Sequence, residues 1–143
     1  MASASISDTI EAPLARVWQV MSDFGGVAGE LIETCEVEGN GVGAVRTLTL
    51  RGGAGTVVER LEAMSDSDHS YSYAILNDDT CPLPVRKYRA AVRLSEAGPN
   101  ATRVEWSGMF EPKGGASEAD VVKLIEGVYR GGVARTRKKL GLG

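Results

Sequence analysis

The chain has 143 residues, 43% hydrophobic and 24% charged, with a formal net charge of −3. That length suits one domain with one core, spanning 1–143, and the net acidity argues against nucleic acid as a partner. No apolar run approaches the ~18 residues of a membrane span, so no integral membrane association is expected. The start, MASASISDTIEAP, lacks the basic and apolar parts of a signal peptide. A cytoplasmic protein with two free thiols, Cys35 and Cys81, is the simplest reading, since their spacing fits neither a metal site nor a redox motif.

Ala4 to Glu11 alternates weakly, with Ile6 and Ile10 on one face, and is expected as a first strand. Asp8 shares that face and is placed at a solvated rim. Pro13 suits a first helical turn, and Leu14, Val17, Trp18 and Met21 recur at helical spacing until Gly25-Gly26. A second short helix is expected over roughly Val27 to Ile32. Glu33 to Glu38 alternates as a strand, with Cys35 and Val37 inward, and Gly39-Asn40-Gly41 is a turn. Gly39 to Ala44 also fits the dinucleotide fingerprint GxGxxA, but that fingerprint must open a helix, and a strand follows here.

The next stretch, Gly41 to Met64, is read as a hairpin around a short glycine-rich turn. Alternate side chains point to opposite faces of a strand. Arg46 shares its parity with Leu48 and Leu50; Glu59 shares its parity with Val57 and Leu61. Closing the hairpin with Arg51–Ala54 as the loop sets Leu50 opposite Gly55, Leu48 opposite Val57 and Arg46 opposite Glu59. A cation and an anion therefore meet on the inward face.

His69 to Leu76 is a further strand with Tyr71, Tyr73 and Ile75 inward; His69 itself is expected to be exposed. A loop from Asn77 to Pro84 leads to a strand over Val85 to Leu94 with Tyr88, Ala90, Val92 and Leu94 inward. A turn over Glu96 to Asn100 precedes the last strand, Arg103 to Glu111, with Val104, Trp106, Gly108 and Phe110 inward. Ser117, with Asp120 three residues on, has the pattern of a capping box. The helix it opens runs to about Leu140, roughly 36 Å, with Val121, Leu124, Ile125, Val128, Val133 and Leu140 as its apolar side. Gly131-Gly132 interrupts it, for close packing, a bend or a guest. Its basic end, Arg135 to Lys139, reads as a solvated terminus that complements the helix dipole.

Consecutive strands joined by short turns pair antiparallel, and a sheet with one apolar face must cover it. The expected fold is α+β: a seven-stranded curved antiparallel sheet wrapped around a long C-terminal helix, with two short helices after the first strand. Inward or near-inward glycines at 55, 108, 131 and 132 argue for a cavity between sheet and helix.

Several landmarks in order resemble one superfamily across nearly the whole chain. They are Ile10-Glu11-Ala12-Pro13 leading to Val17-Trp18, Gly41-x-Gly43-x-Val45-Arg46, Glu59-Arg60-Leu61, Tyr71-Ser72-Tyr73, Leu83-Pro84-Val85 before Tyr88, and Trp106 with Phe110. Together they resemble the birch-pollen-allergen/START-type (SRPBCC) superfamily with its helix-grip fold, and within it the bacterial polyketide cyclase/dehydrase-like group. Two plant branches share the pattern, the abscisic-acid receptors and lachrymatory-factor synthase. In both, the positions matching Arg46 and Glu59 are an arginine and a glutamate. The resemblance implies that positions matching Glu59, Tyr73 and Tyr88 line a hormone pocket in the receptors, and that the arginine and glutamate are catalytic in the synthase. The receptors' gate loop is longer than Arg51–Ala54, and their latch has no counterpart beyond Leu83-Pro84-Val85, which argues against a hormone-receptor role.

An inward Arg46–Glu59 pair either pins strand register or faces a cavity. In a cavity, Arg46 would hold a carboxylate or polarise a carbonyl, and Glu59 would move a proton. The expected ligand-binding set is Arg46, Leu48, Leu50, Val57, Glu59, Leu61, Tyr71, Tyr73, Ile75, Tyr88, Trp106, Ile125 and Tyr129, with Arg46 and Glu59 as catalytic candidates. No metal and no cofactor are expected: a zinc site wants several Cys or His ligands, and no GxxxxGK[ST] occurs. The leading expectation is a binder of a small, mostly apolar organic molecule. The alternatives are a cofactor-free cyclase or dehydratase, and an interaction domain with a vestigial cavity that presents Arg51–Ala54 and Asn77–Pro84.

Overall fold

The computed structural model describes residues 1–29 and 31–143. Its elements, in chain order, are β1 (Ala2–Ile10), α1 (Leu14–Met21), β2 (Ile32–Glu38), β3 (Val45–Leu50), β4 (Thr56–Ser65), β5 (Ser70–Ile75), β6 (Val85–Gly98), β7 (Ala101–Pro112) and α2 (Glu118–Lys139). One antiparallel sheet of seven strands has the order β1-β7-β6-β5-β4-β3-β2. The first strand lies beside the last, so β1 and β2, neighbours in sequence, form opposite edges. The α1 segment spans that separation.

Pro13 at φ −61° leads into α1, which buries Val17, Trp18 and Met21. The expected second helix is not there. Val27 and Ala28 are irregular, Gly29 exchanges backbone hydrogen bonds of 2.8 and 2.7 Å with Ile32, and Ile32 already pairs with Leu50 in the sheet. Glu30, within the same expectation, lies outside the described residues. The sheet competes for Ile32 and wins over local helix propensity.

The sheet bends at interruptions in its ladder. Register shifts occur between Leu61 and Ala63 in β4, and between Arg86 and Arg89 in β6. Such bulges bend a strand and re-aim its side chains. In β6, Lys87 takes φ 52° at the bulge, and Val85 and Tyr88 both reach the interior despite opposite parity. β6 also continues to Gly98 through a further irregularity, so the turn expected over Glu96 to Asn100 is confined to 99–100.

Ser117 Oγ accepts the Asp120 backbone N–H at 3.2 Å and caps α2. The helix is continuous through Gly131-Gly132. It buries Val121, Ile125, Tyr129, Gly132, Val133 and Thr136, while Leu124 and Val128, expected on the apolar side, are 46% and 42% exposed. The helix rotation is set by Tyr129 and Gly132 meeting the sheet, which turns 124 and 128 outward. α2 lies nearest β1 and β7, and that asymmetry leaves the β2–β4 end of the concave face less covered. Val37, expected inward, is 40% exposed on the β2 edge for the same reason. Asp8 is half-exposed and pairs with Arg137 at 3.2 Å. His69 is half-buried, edge-on against Trp18 at 5.5 Å. Among the described residues no helix is long and apolar enough to cross a membrane.

Candidate functional site

β3 and β4 pair with Arg46 opposite Glu59 and Leu48 opposite Val57, and Leu50 N–H bonds the Gly55 carbonyl at 2.9 Å. Strand parity then turns both charged side chains inward, to 5% and 6% exposure. Arg46 Nε donates to Glu59 Oε1 at 2.8 Å, and another guanidinium nitrogen donates to the Phe24 carbonyl at 3.0 Å. The guanidinium also lies 4.0 Å from the Phe24 ring centre and 5.1 Å from that of Tyr73. Burial works against its charge, but the Glu59 carboxylate, helped by Tyr71 and Tyr73, holds it above its ordinary range. Arg46 is thus held at Nε and at one terminal nitrogen by protein groups.

Beyond the pair the interior is aromatic. Tyr73 accepts a hydrogen bond from Trp106 Nε1 at 3.1 Å, and the Tyr88 and Tyr129 hydroxyls meet at 2.6 Å. Trp106 stacks on Tyr129, with centroids 4.9 Å apart. Burial raises the phenols of Tyr71, Tyr73, Tyr88 and Tyr129, so all stay neutral hydrogen-bonding groups near neutrality. The inward glycines here are filled rather than hollow. A Cβ on Gly108 would sit 2.1 Å from the Tyr129 hydroxyl, and one on Gly132 would sit 2.5 Å from the Trp106 ring.

Open space lies on the other side of the pair. A partly open cavity of about 290 Å³ is bounded by Leu48, Leu50, Val57 and Glu59 of the hairpin, Arg51 and Ala54 of its loop, and Leu83. Gly29, Leu31, Ile32 and the α2 residues Gly127, Val128, Gly131 and Arg135 complete it. Two wider depressions, of about 460 and 690 Å³, are shallower and lie largely against the outer faces of β4–β7, where their charged residues are exposed or half-exposed. Of the residues expected to bind a ligand, Leu48, Leu50, Val57 and Glu59 line this cavity. Arg46 sits behind Glu59. Leu61, Tyr71, Tyr73, Ile75, Tyr88, Trp106, Ile125 and Tyr129 are packed in the adjoining core.

The cavity also uses residues that strand parity did not pick out. Arg135, read as part of a solvated basic end, is half-buried and lines the cavity. The available signal was helical spacing: Gly127, Gly131 and Arg135 follow one another at four-residue steps and share a face. Leu31 and Leu83 come from connecting segments whose placement no periodicity encodes. Among the described residues, no three His, Cys, Asp or Glu side chains are grouped as metal ligands would be.

The family described as "Polyketide cyclase / dehydrase and lipid transport" matches residues 1–141. The chain is similar to the abscisic acid receptor PYL6 of Arabidopsis thaliana, at 26% identity over 133 residues, which is 85% of this chain and 60% of the receptor's length. The solved structure of XoxI from Bacillus cereus superposes with a TM-score of 0.84 at 30% identity, over 97% of this chain and 95% of that one. Norcoclaurine synthase of Thalictrum flavum, solved with dopamine and hydroxybenzaldehyde, shares the fold alone: TM-score 0.71, 17% identity, 98% and 86% coverage. The helix-grip architecture expected from the order of the landmarks agrees with all three. With nearly its full length matched, the chain belongs to the polyketide cyclase/dehydrase and lipid transport family of the SRPBCC superfamily.

Proposed function

We propose that this protein holds a small, mostly apolar organic molecule in the cavity between the β3–β4 hairpin and α2. The observation that carries this reading is the composition of the walls. Leu31, Ile32, Leu48, Leu50, Val57, Leu83 and Val128 supply the surface, with Glu59, Arg51 and Arg135 as the charged groups. Apolar walls with few placed polar groups are the usual form of a small-molecule pocket, and about 290 Å³ is at the small end of the ~300–1,000 Å³ range. The lipid-transport part of the family description and the receptor name of the Arabidopsis relative point the same way.

The test is native mass spectrometry of the purified protein, followed by thermal melts with apolar ligands of graded size. A ligand that binds only the folded state raises Tm by mass action. Gly131→Leu should abolish that rise without unfolding the protein, because nothing lies within 4 Å of a Cβ at Gly131. Ligand-induced stabilisation that survives the substitution would place binding elsewhere.

A second reading has its own observation. Glu59 lines the cavity while Arg46 fixes its position, which is the arrangement a proton-transfer group needs, and the family description includes cyclase and dehydrase. A cofactor-free cyclisation or dehydration would then use Glu59 as the acid–base group. Glu59→Gln should lower turnover of a converted substrate by about 10²–10⁴-fold. The two readings separate on whether the bound molecule leaves the cavity chemically unchanged.

A further inference from the structure

One cation at the cavity has no hydrogen-bond or ion-pair partner among the described residues. Arg135 stands one helical turn beyond Gly131 and lines the cavity. Its stem passes Gly29, where a Cβ would lie 3.6 Å from Arg135 Cδ. Among the described residues its guanidinium makes no hydrogen bond and no ion pair. The neighbouring arginines differ. Arg46 is held by Glu59 and the Phe24 carbonyl, and Arg137 by Asp8 and the Thr9 carbonyl. Arg51, exposed at the cavity rim, has contacts of its own.

Arg46 and Glu59 cancel, which leaves the half-buried Arg135 as a positive charge beside the apolar walls and Arg51 as another at the exposed rim. Desolvating a cation without a partner is unfavourable, and burial draws the Arg135 guanidinium below its ordinary range while leaving it charged. Glu59 does not repel a second anion strongly, because Arg46 already compensates it. A guanidinium presents a planar fork that matches the two oxygens of a carboxylate. The walls of Leu48, Leu50, Val57 and Leu83 suit an apolar body.

We infer that the occupant is an amphipathic monoanion, a small carboxylic acid whose carboxylate sits on Arg135 and whose apolar body fills the hairpin side of the cavity. This rests on the binding reading above and names its ligand class. It assigns Arg135 the role of specificity anchor, separate from the Arg46–Glu59 pair.

Matched pairs test it: octanoate against octanol, and phenylbutyrate against phenylbutanol, titrated calorimetrically into wild type, Arg135→Met and Arg135→Lys. The expected result is that each acid binds wild type about tenfold tighter than its alcohol. Arg135→Met should lose that preference while keeping the alcohol's affinity, and Arg135→Lys should retain part of it. Without ligand, Arg135→Met should melt at the wild-type temperature or above, since it removes an uncompensated charge. A structural role for Arg135 would lower that temperature instead. Equal binding of acid and alcohol to wild type, or an acid preference that persists in Arg135→Met, overturns the anion assignment and leaves the apolar cavity standing. No binding of any of the four compounds to wild type would overturn the cavity reading together with the assignment. Octyl phosphate separates the acid class: tighter binding of it than of octanoate would overturn the carboxylate.

Discussion

On one side of α2 the glycines are filled, and on the other they face open space. Gly132 admits the Trp106 ring, and across the interior Gly108 admits the Tyr129 hydroxyl. Gly127 and Gly131, on the next face of the helix, have nothing within 4 Å of a Cβ and line the cavity. One residue type thus does opposite work within a single helix. Where large rings converge, the missing side chain allows backbone and ring to approach closely. Where small loops and the hairpin meet the helix, it leaves room. The Arg46–Glu59 pair stands at the seam: Arg46 leans on Tyr73 of the packed half, and Glu59 faces the hollow half.

Breaking that seam should have the largest effect. Glu59→Ala leaves the buried Arg46 guanidinium without its counter-charge, at an expected cost of about 3–5 kcal/mol in urea denaturation. Replacing both residues, Arg46→Met with Glu59→Leu, should recover most of that loss, because two apolar groups need no compensation. A double variant as unstable as the single one would show that the pair does more than neutralise charge.

The packed half has a pH signature. The phenols of Tyr71, Tyr73, Tyr88 and Tyr129 are all raised above the ordinary value of 10.0, chiefly by burial. A group with a raised folded-state pKa contributes stability that is complete below the unfolded value and lost as pH rises toward the folded one. Stability from these groups should therefore hold through neutrality and fall above about pH 10. Tyrosinate absorbance should appear together with the loss of circular dichroism. Phenols that ionise smoothly in the folded protein would mean the aromatic cluster is open to water. Filling the space beside these rings should cost less: Gly132→Ala and Gly108→Ala each push a Cβ into a stacked, hydrogen-bonded ring, at about 1–3 kcal/mol.

The hairpin was readable from sequence because three independent constraints agree on it. The parity of Arg46 with Leu48 and Leu50, the parity of Glu59 with Val57 and Leu61, and a loop at Arg51–Ala54 together allow one register, and that register is observed. The aromatic strand positions followed from the same period-two rule, as did Ser117 from its capping pattern. The rotation of α2 was not readable. Its apolar residues spread around more than one face, so Leu124 and Val128 looked as inward as Val121 and Ile125. Arg135 sits in a run, RTRKK, that local composition marks as solvated; in the fold its stem passes Gly29 and its guanidinium reaches back toward Gly132. The inward glycines pointed to a cavity, but glycine alone cannot say whether a ring or a hollow takes its place. At Gly108 and Gly132 it was a ring.

The smallest expected effect is the sharpest test of the opening contrast, because it reverses sign between adjacent residues. Gly131 and Gly132 share the same helix, the same solvent history in the unfolded chain and the same propensity penalty of roughly 1 kcal/mol against alanine. Gly131→Ala adds a methyl where nothing stands within 4 Å, so only the propensity gain remains, and the protein should become more stable by about 0.5–1 kcal/mol. Gly132→Ala collects the same gain but must displace the Trp106 ring from 2.5 Å, so it should come out destabilised. Chemical denaturation of the two variants side by side cancels everything they have in common. Equal shifts in the two would mean that Trp106 yields freely, and the division of the interior into a packed half and a hollow half would then rest on the cavity alone.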